Sequence, residues 1–334
     1  MAMHVGVFFD KRRKQTVQGA QGARILHLCG RLRRTECAGL QAFTRPSRRR
    51  AWPLELLRGL TEYSEDLIEH FSERLMRGSG YSAAGFAGGY DLHRPSPPPA
   101  LLEALCLEAQ VDKPKLVVDL GSGTGLSTRA WAERADEVVG VEASAEMREQ
   151  AEVASASPNL RYVQAFAQQT GLPDRSADIV TCSQSFHWME PQSVLAEVAR
   201  ILRPGGVFAA YDYDWPPVVH PEVEAAFETM IGRIGRMRAE RGQPRYSKEG
   251  HLDRIRASGH FRYTREIVLH SRDRGTAGRI VGMALSLGPL TVMLQEGVSE
   301  EEVGLVALRE VAAKALGDRE VDIFISYRAR IGVK

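Results

Sequence analysis

Between residues 115 and 214, short apolar runs alternate with amphipathic helical stretches, and this alternation limits the fold more tightly than anything else in the chain. "KLVVDL" (115–120), "EVVGVEA" (137–143), "NLRYVQAFA" (159–167), "SADIVTCSQ" (176–184) and "VFAAYDYD" (207–214) have the length and side-chain content of buried strands. Helical spacing marks "LSTRAWAERA" (126–135), "SAEMREQAEVASA" (144–156) and "PQSVLAEVARIL" (191–202). Ser144 suits an N-cap, Glu146 the positive end behind it, and Pro191 a first helical turn. "RPGG" at 203–206 then breaks the pattern. Strands and helices in this order build a mostly parallel sheet with helices on both faces.

The flanks are less regular. Apolar residues from Leu54 to Met76 are spaced for one or two amphipathic helices. A stretch rich in small residues, 77–91, reads as flexible, and "RPSPPP" (94–99) signals a helix start. Beyond residue 217, 222–240 reads as helix, 261–273 and 320–333 as strands, and 276–316 as a mainly helical insert between them. Such an insert is expected over the ligand end of the sheet.

Composition narrows the function classes. Of 334 residues, 43% are hydrophobic and 26% charged, as in ordinary globular proteins. Net charge is +2, which as a whole makes no case for nucleic acid. Residues 1–60, however, hold 13 Lys or Arg against 3 Asp or Glu, and the remainder carries a net −8. Residues 1–53 are expected to form a basic, poorly ordered extension; a nucleic-acid or membrane tail and a transit peptide are the alternatives. Cys29, Cys37, Cys106 and Cys182 show no C-x-x-C spacing, so neither zinc nor a disulfide framework is expected. A reducing, cytoplasmic setting fits. No apolar run reaches the roughly 18 residues of a membrane span.

The glycine turn after the first strand reads "GSGTG": Gly121, Gly123 and Gly125. In an open parallel sheet this place faces the ligand, and glycine lets backbone bend sharply and approach it. The dinucleotide fingerprint G-x-G-x-x-G would need glycine at 126, where Leu126 stands. No Lys-Ser/Thr pair of a P-loop follows. Glu142 closes the second strand, 21 residues past Gly121, where a carboxylate can accept both hydroxyls of an unphosphorylated ribose.

"VVDLGSGTG", "VVGVEAS", "LPDRSADIVTCSQSFHWM" and "ILRPGGVFAAYDYD" resemble, in order, the motifs of class I S-adenosylmethionine-dependent methyltransferases. The resemblance runs from about 90 to 215 and is nearest to the small-molecule branch typified by trans-aconitate and ubiquinone-biosynthesis enzymes. It implies a Rossmann-like, doubly wound α/β sheet, mostly parallel with an antiparallel late strand, within a domain over 54–334. It also implies S-adenosylmethionine as cofactor and a small-molecule acceptor. The methionine end would meet Asp119, Gly121, Ser122, Gly123 and Gly125, the ribose Glu142 and Ala143, and the adenine edge Ala167 and Gln168. Many members have an acid where Gln168 stands. Ser183 would touch the cofactor. "GGYDLHRP" (88–95) resembles the entry segment, so that Tyr90 and Arg94 would close over the methionine end, Arg94 on its carboxylate.

Methyl transfer from a sulfonium is an in-line displacement that requires positioning and dryness, not a metal. No H-E-x-x-H or Cys/His cluster occurs, so no metal is expected. His187 and Trp188 follow the fourth strand, opposite the transferable methyl. His187 could accept a proton from the acceptor, given a reference pKa near 6.5; otherwise it packs, and the substrate arrives ionised. In "YDYDW" (211–215), Tyr211, Tyr213 and Trp215 share a face, with Asp212 and Asp214 opposite. Either Tyr211 and Tyr213 line the acceptor pocket, or the segment is strand-end packing with solvated carboxylates. A nicotinamide-dependent oxidoreductase and an RNA methyltransferase using the basic N-terminus are the competing functions. No N/D-P-P-Y/F motif follows the fourth strand, so DNA is not an expected partner.

Overall fold

The computed structural model describes residues 87–243 and 246–334. The basic extension and the 54–76 helical pattern lie outside these residues. Seven strands form one sheet in the order β3-β2-β1-β4-β5-β7-β6. They are β1 (Leu116–Leu120), β2 (Glu137–Glu142), β3 (Leu160–Gln164), β4 (Ala177–Ser183), β5 (Leu202–Tyr213), β6 (Tyr263–Gly275) and β7 (Val321–Val333). The first five pair in parallel, whereas β7 runs antiparallel to both β5 and β6. Chain order reverses between β1 and β4, which places the topological switch point at their carboxyl ends.

Strand alternation splits the apolar residues between two faces. Val117, Val138, Ile179 and Val207 enter one core, while their neighbours Val118, Val139, Val180 and Phe208 enter the other. The first core is covered by α2 (Pro99–Ala109), α6 (Pro221–Glu240) and α11 (Leu305–Leu316), through residues such as Leu101, Phe227 and Leu308. The second is covered from α5 (Pro191–Ile201) by Val194 and Val198, and from α7 (His251–Ala257) by Ile255. Capping follows the sequence: Ser144 Oγ accepts from Met147 N before α4 (Ala145–Ala154), and Pro99 and Pro191 occupy first turns.

Four boundaries differ from the sequence expectation. Residues 87–93 form a helix, α1 (Ala87–His93), which overlaps the end of the 77–91 stretch expected to be flexible. The helix after the glycine turn, α3 (Leu126–Ala130), gives way to turns before Ala135. β3 stops at Gln164, which frees 165–168 to follow the ligand end of the sheet. β5 begins at Leu202, because Leu202 pairs with Ala177 and Val207 with Ile179, and the "RPGG" segment bulges out between them instead of ending the ladder.

The insert between β6 and β7 comprises α8 (Ala277–Leu285), α9 (Gly288–Gln295), α10 (Glu300–Val303) and α11. Its Ser286 accepts hydrogen bonds from Arg94 through both its hydroxyl and its carbonyl. Among the described residues no single helix is long and apolar enough to cross a membrane.

Candidate functional site

The glycine turn joins β1 to α3 and is anchored to its neighbours. Gly121 N and Ser122 N donate to Val141 O at 2.8 and 3.1 Å, and Ser185 Oγ donates to Leu120 O at 2.7 Å. Gly121, Gly123 and Gly125 all have left-handed φ, of 64°, 58° and 80°. At Gly121 the conformation is reinforced by crowding: an added Cβ would lie 2.7 Å from Met189 Cε and 2.8 Å from Ser185 Cβ.

Glu142 reaches back to the turn. Its Oε2 accepts from Gly123 N and its Oε1 from Ser144 N, both at 2.8 Å. Burial raises its carboxyl above the ordinary range. A carboxylate offers about four acceptor positions, so capacity for a hydroxyl remains after these bonds and a third from the Ala143 backbone. Asp119 lies beneath the turn, 0% exposed, where Thr128 Oγ1 and Thr181 Oγ1 each donate to it at 2.8 Å. Burial, opposed by these hydroxyls, pushes its pKa up to about 6.

The turn opens onto a cavity of about 1080 Å³, part of it continuous with solvent. Gly121, Ser122 and Gly123 line one end, Glu142 and Ala143 the middle, and Ala167 and Gln168 the far end. Ser183, Trp188, Tyr90, Arg94 and Tyr213 complete its walls. Three expected site residues are placed otherwise. Asp119 is sealed below the turn, and Gly125 is the N-cap of α3 and does not line the cavity. Tyr211 reaches neither this cavity nor its neighbour: it is buried, with its hydroxyl against Ser127 Oγ. The strand period that aligned Tyr211 with Tyr213 holds, but only Tyr213 lies at the open end of the sheet.

α1 is clasped over the turn. Asp91 accepts from Thr124 Oγ1 and from the Arg129 guanidinium. Arg94, just beyond α1, donates to Ser286 Oγ and Ser286 O at 2.7 Å and to the Tyr213 hydroxyl. Its guanidinium sits 4.7 Å from the Tyr90 ring centroid and 5.3 Å from that of Trp215. Arg94 therefore bridges the entry segment and the insert.

A second hollow, of about 2150 Å³, adjoins the first. Arg94, Gln184, Trp188 and Tyr213 line both and form the partition between them. Gln184 holds a left-handed φ of 54°, an unusual conformation for a residue with a side chain, at this junction. Ile231, Ile234, Leu287 and Pro289 make an apolar wall, and Arg238 stacks its guanidinium 4.8 Å from the Trp188 ring.

The opposite wall is charged and centres on Asp212, which is 3% exposed rather than solvated. Lys248 Nζ lies 3.0 Å and His187 Nδ1 3.6 Å from Asp212 Oδ1. Arg330 Nη1 lies 3.2 Å and His251 Nε2 3.7 Å from Oδ2. Lys248 also donates to Gln184 Oε1 at 2.6 Å, which ties the cluster to the partition. His187 lines this second hollow, not the first. His187, Asp212 and His251 have the composition of a metal site. Lys248 and Arg330 already face both carboxylate oxygens, and their charges oppose a metal cation there. Burial holds the His251 pKa down to about 4, so its ring is neutral near pH 7.

Sequence reasoning found the cavity but not Lys248, His251 or Arg330. They come from α7, its approach and β7, 36 to 118 residues from Asp212, and no local motif joins them. The one available signal was the acid placed at strand period between Tyr211 and Tyr213.

Residues 118–210 match a family described as a methyltransferase domain. An uncharacterized methyltransferase of Mycobacterium tuberculosis is 36% identical over 130 residues, which cover 39% of this chain and 51% of that protein. An uncharacterized methyltransferase of Schizosaccharomyces pombe is 33% identical over 121 residues, covering 36% of this chain and 47% of that one. The chain thus spans about half the length of the curated relatives it matches. A solved structure assigned as a type II methyltransferase, from Anaeromyxobacter dehalogenans, is 25% identical with a TM-score of 0.55, over 72% of this chain and 97% of that one. Strand order, the glycine turn with its partner acid, and these matches agree: residues 118–210 are similar to a methyltransferase domain, carried on a Rossmann-like sheet such as that of the Anaeromyxobacter dehalogenans protein.

Proposed function

We propose that the chain transfers a methyl group from S-adenosylmethionine to a small-molecule acceptor. The observation that carries this reading is the pair of adjoining spaces, one lined by the glycine turn and Glu142, the other larger and two-faced, meeting at Gln184, Trp188, Tyr213 and Arg94. An in-line displacement needs two reactants held on opposite sides of one transferable carbon.

The first cavity fits the cofactor. Its turn has no side chain where the methionine end would lie, and Gly121 has no room for one. Glu142 keeps acceptor capacity for a ribose hydroxyl after binding the turn and the Ala143 backbone. Arg94 brings positive charge to the cavity edge, and Gln168 stands at the end suited to the adenine. When bound, the cofactor supplies an electrophilic methyl on a positive sulfur. The chain's own contribution is orientation and exclusion of water. Trp188 and Tyr213 wall the junction, and the insert, held by Arg94 to Ser286, closes over it. Alignment of this kind contributes up to roughly 7–11 kcal/mol in favourable cases.

The test is a screen of candidate metabolites with isotopically labelled S-adenosylmethionine, with product detected by mass. A labelled small-molecule product is expected. Methyl transfer to RNA alone would favour the competing nucleic-acid function.

A further inference from the structure

β6 ends the sheet, and among the described residues it pairs with β7 alone. Its outer edge presents a row of backbone donors and acceptors. Folded chains commonly blunt such an edge with a short strand, a bulge, a proline or lysines. β6 has none of these. It runs 13 residues, keeps one register with β7 from Tyr263 to Gly275, and contains neither proline nor lysine. Its two faces also leave apolar surface beside the edge. Ile267 and Leu269 are half-buried against the first core, and Val268 on the other face is 46% exposed.

β6 does carry charges, but of both signs, and their order is self-complementary. When a strand pairs antiparallel with its own copy about a twofold axis, opposed residues must lie on the same face of the sheet. The axis therefore passes through a residue, never between two. With the axis at Leu269, Arg265 opposes Asp273 and Glu266 opposes Arg272, and the symmetry makes each pair twice. With the axis at Val268, Arg265 meets Ser271 and Arg272 meets Thr264; at His270, only Glu266 and Arg274 are matched. Leu269 is the axis that matches the most charge, and it sets Leu269 against its own copy on the face that joins the first core.

We propose that the outer edge of β6 is a homodimer interface, where a second copy of this chain pairs antiparallel about a twofold axis at Leu269 and one sheet continues through both copies. The four charged residues are already engaged within the chain. Arg265 meets Glu108 at 3.1 Å, Glu266 meets Arg330 at 2.7 Å, Arg272 meets Asp322 at 2.5 Å and Asp273 meets Arg279 at 2.5 Å. These pairs persist in the dimer, since a carboxylate accepts from more than one guanidinium and a guanidinium has five N–H groups to donate. All four side chains stay about a third or more exposed, at the edge where the second copy docks. Exposed ion pairs add little affinity each. They select the register, while the backbone ladder and the shielded Ile267, Val268 and Leu269 hold the copies together.

The experiment is sedimentation of the full chain over a micromolar dilution series. Twice the chain mass is expected. Arg272→Glu sets like charges opposite each other at both ends of the interface and should weaken association about 10-fold, with an unchanged melting midpoint for the single chain. Leu269→Cys tests the axis. Opposed residues lie about 4.5–5.5 Å apart at Cα, within disulfide reach, so mild oxidation should cross-link this variant well above the unmodified chain. Ser271→Cys is the control, because its two copies stand about 14 Å apart along the strands and should not cross-link. A single-chain mass throughout the series overturns the proposal. So does an Arg272→Glu chain that associates as tightly as the native one, or a folded Leu269→Cys chain that cross-links no more than Ser271→Cys. Where Leu269→Cys does not fold, the native mass and Arg272→Glu still decide.

Discussion

Two buried titratable residues push stability in opposite directions with pH. The Asp119 pKa is raised from 3.8 to about 6, chiefly by burial, so the folded chain holds this proton more tightly than the unfolded chain. Its contribution is present below about pH 4 and is lost as pH rises through 6, a cost of about 3 kcal/mol for the buried anion. Asp119→Asn should therefore stabilise the chain by about 1–3 kcal/mol at pH 8, with the difference shrinking toward pH 4. Urea unfolding at the two pH values measures it. His251 behaves in the other sense. Its pKa falls from 6.5 to about 4 through burial, so the unfolded chain takes up a proton first. Stability from this residue is present above pH 6.5 and is lost as pH falls toward 4. The unfolding midpoint of the native chain should drop more steeply between pH 6.5 and 4 than that of His251→Gln. Asp119 was legible in the sequence from its place at the end of an apolar strand. His251 was not, because its environment is made by residues far away in the chain.

At the scale of elements, the glycine turn and the insert are the two parts with the clearest consequences. Gly121→Ala combines a φ of 64° with a Cβ 2.7 Å from Met189 Cε. The strain should cost about 1–3 kcal/mol and weaken S-adenosylhomocysteine binding at least 10-fold, as read by thermal melts and calorimetry. Ser286→Ala removes the hydroxyl that receives Arg94 Nε at 2.7 Å while leaving the backbone carbonyl partner. It should cost about 1 kcal/mol and speed amide exchange in α8 and α9, with little change in α5 on the far side of the sheet. The strands and long helices were legible because apolar period and proline or serine caps are local properties. The boundaries that shifted depend on non-local pairing. The "RPGG" stretch bulges out between Leu202 and Val207, which both pair with β4; Lys334, at the end of the chain, bonds its glycines, and Gly205 with φ of 76° accommodates the irregularity.

For the whole molecule, a sheet order with its reversal between β1 and β4 creates one switch point, and both spaces lie there. The residues that line the first cavity come from the ends of β1 and β2 and from 165–168, close in the chain to the motifs that pointed to them. The second hollow is assembled from α6, the approach to α7, the insert and β7, and only folding brings them together. The most direct measurement is calorimetric titration of S-adenosylhomocysteine into the native chain and into Glu142→Ala, with NAD as control. S-adenosylhomocysteine should bind the native chain and NAD should not, and Glu142→Ala should lose at least 10-fold in affinity. Undiminished affinity in Glu142→Ala, or binding of NAD in place of S-adenosylhomocysteine, would contradict the account.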